Sequence, residues 1–307
     1  MLEVLTKALS FILIIILGYL LKRYKVFAHD DYKLVAKIAL NITLPAAVIT
    51  SFGHFAMDYS LFAALIVGLA GNVLMVVISL LITKRETAAA KLFYIFSMAG
   101  YNIGCFTMPF VASFLGPMGV VAICIFDIGN SIMCTGGTYA FAASAIGDAS
   151  GRRERITVRG IFDKLLHSVP FVVYMVMLAM ALTEIKFPAS VYTFTKIVAD
   201  ANTFLCMLMI GMMFELRLDS KSWGYIKEII FWRYLIGISG AAAAYLYGPF
   251  APELNKAVAA AFLAPSTALG PIFIEKLGGN VELAGVLNSL TIVISVILLS
   301  AFFVFTH

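Results

Sequence analysis

Runs of about twenty apolar residues follow one another from the start of this chain to its end. A bilayer core is about 30 Å thick, and about 20 apolar residues of α-helix cross it. Ten such runs can be placed, at roughly 2–21, 33–52, 60–82, 88–115, 119–145, 165–184, 189–215, 229–248, 254–275 and 281–305. Backbone polar groups inside a bilayer must be satisfied within each span, so the runs predict helices. With 62% hydrophobic and 13% charged residues and a mean hydropathy of +0.99, the 307 residues are far more apolar than a soluble domain. The expectation is an all-α polytopic membrane protein. The first run is expected to be a retained helix. Its cations, Lys22, Arg23 and Lys25, follow the apolar stretch, whereas a signal peptide carries them before it.

Lysine and arginine orient the spans. Residues 22–37 carry Lys22, Arg23, Lys25, Lys33 and Lys37, and 83–91 carry Lys84, Arg85 and Lys91. Residues 146–164 carry Arg152, Arg153, Arg155, Arg159 and Lys164, and 216–228 carry Arg217, Lys221 and Lys227. The alternate connections have none at 53–59 or 116–118, then Lys186 and Lys256 alone. Basic loops stay in the cytoplasm, so both termini are expected outside, in a multi-pass protein of the cell membrane. The net charge of +5 is read as this anchoring, and no nucleic-acid partner is expected.

The longest polar stretch, 147–164, leaves a five-span segment on each side, 1–146 and 165–307. Copies with five spans each must be inverted relative to one another. Two similarities support a repeat. The segment 109-PFVASFLGP-117 resembles 271-PIFIEKLGG-279, 162 residues on, and 36-AKIALNIT-43 resembles 195-TKIVADAN-202, 159 residues on.

The fourth and ninth runs carry helix breakers at mid-depth. The fourth reads 99-AGYNIGCFTMPF-110 and the ninth 261-AFLAPSTALGPIF-273. Unwound backbone is tolerated there only inside protein or along an aqueous cavity. Paired breaks in inverted halves point to a substrate site where they cross. Half-helix N-termini suit an anion, and unwound carbonyls a cation or water. The site candidates are Asn102, Gly104, Pro109, Pro265, Ser266 and Thr267, with Tyr101 and Asn288 beside them. Asn41 and Thr43 in the second span, and Asp200 and Asn202 in the seventh, occupy matching places and are further candidates.

The order and spacing of several segments resemble the auxin efflux carrier family. They are 17-LGYLLKRYKVF-27, 40-LNITLPAAVITSF-52, 101-YNIGCFTMPFVASFLGPMG-119 and 125-IFDIGN-130. The resemblance covers essentially the whole chain. Bacterial members are carboxylate permeases for substrates such as malate and malonate. The family is distantly related to sodium/bile-acid symporters and sodium/proton antiporters. It implies a secondary transporter of a small organic anion with its site at crossing broken helices 4 and 9; a sodium-coupled symporter of the bile-acid type and an anion receptor that transports nothing are the alternatives. It also implies a transport bundle of helices 3–5 and 8–10, a scaffold of helices 1, 2, 6 and 7, and a homodimer. Asn41 and Asp200 would then border the site from the scaffold side. Residues 264–268 carry no carboxylate, unlike many sodium-coupled relatives.

Asp127 lies within an apolar span, where an unpaired carboxylate costs about 2.5–3.5 kcal/mol. Asn130 follows on the same helical face. Two roles stay open: a carrier of a coupling ion, proton or sodium, and a structural carboxylate bonded to a broken helix. Lys7 and Arg233 are expected to snorkel from span ends, and no arginine is expected at either break, leaving amides and helix termini to hold a carboxylate. Asn72 has no role assigned. The cysteines Cys105, Cys124, Cys134 and Cys206 form no C-x-x-C pair, and no disulfide, metal or cofactor is expected. No nucleophile elbow, P-loop or H-E-x-x-H motif is present, so an enzyme is not expected.

Overall fold

The computed structural model describes residues 2–53, 59–154, 157–214 and 223–306; His54, Arg155, Glu215, Arg217, Lys221 and His307 lie outside them. The described residues are helical nearly throughout. The first half runs α1 (Leu2–Arg23), α2 (Tyr32–Ile38), α3 (Leu44–Phe52), α4 (Phe62–Ile82), α5 (Ala88–Met98), α6 (Met108–Ile132) and α7 (Thr138–Ala145). The second runs α8 (Val158–Leu166), α9 (Val169–Leu182), α10 (Ala189–Ala199), α11 (Asn202–Met213), α12 (Trp223–Tyr247), α13 (Pro252–Phe262), α14 (Gly270–Lys276) and α15 (Val281–Thr306).

Among these, seven helical stretches are long and apolar enough to cross a membrane, or eight if one bent pair counts as a span. The departures from ten uniform runs have local causes. The stretch Ile103–Ala145 is 43 residues long, about 65 Å if straight. It turns at Gly116, whose φ of 65° is followed by Pro117, where the sequence places a boundary between runs. The expected span 165–184 is a bent pair, with 85° between Arg159–Leu166 and Val169–Leu182. Ser168 leaves the helical region and Pro170 restarts the helix in its first turn. The connecting loop is thus shorter than 147–164, because α8 forms within it. Exposed Phe162 and Leu166 on this helix suit the plane of a membrane interface.

Two π-helical turns, Ala39–Thr43 and Ile103–Thr107, precede Pro45 and Pro109. A proline ring displaces the carbonyl four residues back, here that of Asn41 or Cys105, and a widened turn accommodates it.

Between helices in lipid there is little hydrophobic drive, so close approach must come from small residues. α1 packs on α11, and α4 on α6. At the first contact, a Cβ on Gly18 would strike the Leu208 carbonyl and one on Gly211 the Ile15 carbonyl. At the second, Gly68 and Gly129 face the carbonyls of Phe126 and Leu65 in the same reciprocal way. Leucines 9, 13 and 17 of α1 point outward, as lipid-facing positions should.

Candidate functional site: the crossing of two broken helices

α5 ends at Met98 and α13 at Phe262, and the unwound segments beyond them meet. Tyr101 and Ser266 pair as an isolated antiparallel bridge, and the Asn102 amide donates to the Pro265 carbonyl at 3.0 Å. Gly100, at φ 90°, makes the turn; a Cβ there would also lie 2.6 Å from the Thr267 methyl. This conformation strains any other residue.

Side chains from neighbouring helices replace the hydrogen bonds that the breaks remove. On α4, the Asn72 carbonyl oxygen accepts from Gly100 N–H at 2.7 Å. On α6, Asn130 accepts from Tyr101 N–H at 3.0 Å and donates to the Tyr101 carbonyl at 2.9 Å. Asn130 also accepts from the Asn72 amide at 3.0 Å and donates to Asp127 at 2.7 Å. On α15, Thr291 Oγ1 accepts from Ser266 N–H at 3.3 Å, and Asn288 accepts from the Ser266 hydroxyl at 3.0 Å. Tyr234 on α12 fixes this second brace by donating to the Thr291 carbonyl at 2.6 Å.

Arg233 corrects two sequence expectations. It does not snorkel: only 2% of it is exposed. An arginine does stand at the breaks, and its guanidinium donates to the carbonyls of Met98, Gly100 and Ala264, the latter two at 3.0 Å. It also lies over the Tyr101 ring, 5.5 Å from the centroid. The electrostatics are simple. α5 and α13 both end here, and each helix C-terminus carries about half a negative charge. One buried guanidinium neutralises both while satisfying carbonyls that have no helical partner. The sequence hid this because the apolar run begins near 229, whereas α12 begins at Trp223. That adds about 9 Å of depth.

Asp127 is 7% exposed. Its two oxygens accept from Asn130 and from the Tyr174 hydroxyl, the latter at 3.0 Å. It touches the break through Asn130. Gly104 adjoins the same group, since a Cβ there would stand 3.6 Å from the Tyr174 hydroxyl. Asn102 and Thr267 are half-buried on either side of the crossing, and Pro109 is buried in the first turn of α6.

The structure therefore brings together Tyr101, Asn102, Gly104, Asp127, Asn130, Pro265, Ser266, Thr267 and Asn288. It adds Asn72, Tyr174, Arg233, Tyr234 and Thr291, to which the sequence attached no part in the site. Four candidates stand apart. Asn41 is exposed and donates to its own Lys37 carbonyl, and Asp200 is exposed and pairs with Lys196 at 3.0 Å. Thr43 and Asn202 bond each other at 2.8 Å, buried between α2–α3 and α10–α11. Among the described residues no group of three His, Cys, Asp or Glu side chains could hold a metal ion. No protein-family model matches the chain, and no curated protein matches it in sequence.

Proposed function

We propose that this chain is a ten-helix secondary transporter that moves a small organic anion, such as malate or malonate, by alternating access. The observation that carries the reading is the meeting of two interrupted helices at a polar, braced crossing. In membrane carriers that arrangement marks a substrate site. Arg233 neutralises the C-terminal ends at the crossing. The N-terminal end of the second half of the fourth span, from Ile103 onward, keeps its partial positive charge. A carboxylate would sit there against the Asn102 and Thr267 side chains. This is the site that the resemblance to the auxin efflux carriers implies.

Two observations support ten spans in inverted halves. The turn at Gly116 divides a stretch twice as long as a bilayer is thick, and the two broken spans each count once. Thr43 and Asn202 are 159 residues apart, the offset of the repeat, and they touch. Residues related by a two-fold axis touch only near that axis. The basic connections would then lie in the cytoplasm and both termini outside.

Uptake into proteoliposomes tests the function. Labelled malate or malonate is expected to accumulate, and an inward proton gradient or sodium identifies the coupling ion. Asp127→Asn, held by the same two partners, is expected to lower gradient-driven uptake at least tenfold while leaving exchange intact. Unchanged gradient-driven uptake would make Asp127 structural. No flux of any carboxylate by folded protein would end the transport reading.

The Lys196–Asp200 pair lies about halfway along the span Ala189–Met213, with 65% and 67% of the side chains exposed. Lipid is a poor neighbour for charges at that depth. We propose that a second copy covers this face. All four native cysteines are buried, so Ile197→Cys, 72% exposed on the same face, is expected to give a disulfide-linked dimer on mild oxidation. Linkage no greater than from Phe305→Cys, itself highly exposed on α15, would reject this interface.

A further inference from the structure

The end of α1, the start of α15 and Phe214 line a half-open cavity of about 1030 Å³ that the crossing does not use. Among the described residues, Lys22, Arg23, Lys25 and His29 line it on one side, and Glu282 is the carboxylate. We propose that this cavity binds the phosphate of an anionic phospholipid headgroup. The site stands independently of the transport reading.

Three observations carry it. The first is charge: among the described lining residues three are permanent cations and one is a carboxylate, and basic pockets between membrane helices are suited to phosphate headgroups. The second is depth. α1 changes here from outward-facing leucines to lysine and arginine, and Tyr24, beside the cavity, is 74% exposed. That sequence of residues marks the headgroup layer, where tyrosine is favoured. The cavity is also much larger than one free phosphate needs, since its volume matches the upper end of ligand pockets, about 300–1,000 Å³.

The third observation is Lys25 itself. The chain leaves α1 through a left-handed residue, with Lys25 N–H bonded to the Lys22 carbonyl and Val26 N–H to that of Leu21, each at 3.0 Å. Glycine is the usual residue at such a cap. Lys25 holds it at φ 60°. A strained conformation kept by a residue with a cation, at the rim of a basic cavity, points to a use for that cation. Lys22 adds rigidity, since its ammonium also donates to the Phe214 carbonyl at 2.7 Å.

The test is thermal unfolding of the full chain in nanodiscs of phosphatidylcholine, with and without one-fifth phosphatidylglycerol. The anionic lipid is expected to raise the wild-type midpoint by about 3–6 °C. Lys25→Gly relieves the backbone, so it is expected to melt higher than wild type in pure phosphatidylcholine yet lose at least half of the lipid-induced rise. Arg23→Gln is expected to lose a similar part of it. Arg152→Gln with Arg153→Gln, in the exposed loop, is expected to keep the whole rise. The proposal is overturned if Lys25→Gly and Arg23→Gln retain the full rise, or if the loop variant loses as much as they do. It is also overturned if inorganic phosphate in phosphatidylcholine reproduces the rise and the anionic lipid adds nothing, because the cavity would then be a free-anion site.

Discussion

Arg233→Met is expected to lower the melting midpoint of the purified protein by about 10 °C or more, and to abolish transport. Methionine fills much of the same volume and is no worse in a membrane helix, so the effect isolates the guanidinium. Without it, the carbonyls of Met98, Gly100 and Ala264 lose their donor, and two helix C-termini face each other with no positive charge between them. Leaving three buried carbonyls without their donor costs about 1–3 kcal/mol each, so about 3 kcal/mol or more together. At roughly 2–4 °C per kcal/mol for a chain of this size, that gives the stated fall. Arg233→Lys is the informative companion. It keeps the charge but not the planar fork that reaches both breaks, so it is expected to melt between the other two. Fluorescence-detected size exclusion after heating measures all three. A methionine variant that melts with wild type would mean that the two breaks hold without this residue.

The crossing itself was legible because glycine and proline clustered at mid-depth break a helix where lipid cannot satisfy the freed backbone. Its electrostatic half was not, since a run of apolar residues marks where a helix is greasy, not where it starts. Lys227 and Glu228 looked like loop, yet they lie in α12, and Glu228 accepts from Tyr94 at 2.6 Å. Once those residues are counted as helix, Arg233 falls about two-fifths of the way along it, where it is buried. α8 was invisible to the same method because an amphipathic helix has no long apolar run. Asn41 and Asp200 stand away from the crossing for a different reason: the similarity between 36–43 and 195–202 fixes no side chain's facing. Asn41 is exposed and bonds its own helix, while Thr43, two residues and about 200° further round, is buried against Asn202.

Asn130→Leu is expected to be the second most damaging change, with transport lost and the midpoint lowered by several degrees. The sequence suggested Asn130 as a partner of a coupling ion. Its geometry gives it more to do. One amide accepts from Tyr101 N–H and from Asn72, and donates to the Tyr101 carbonyl and to Asp127. Leucine has the same shape and none of these bonds, so it leaves several buried polar groups unpaired at about 1–3 kcal/mol each. Asn202→Leu is the control, because Asn202 is also a buried asparagine between membrane helices. It accepts one strong bond, from Thr43 at 2.8 Å. Interhelical bonds of that kind contribute about 0.6 kcal/mol on average. The expected order is therefore wild type, then Asn202→Leu within about 3 °C, then Asn130→Leu well below both. An uptake assay on the surviving folded fraction separates the two roles further. Asn202→Leu should keep most of its flux, whereas Asn130→Leu should have none, because the brace that aligns the two breaks also anchors Asp127. Equal losses from the two substitutions would show that the crossing tolerates an unbraced Tyr101, and that the polar network around it is not what holds the site.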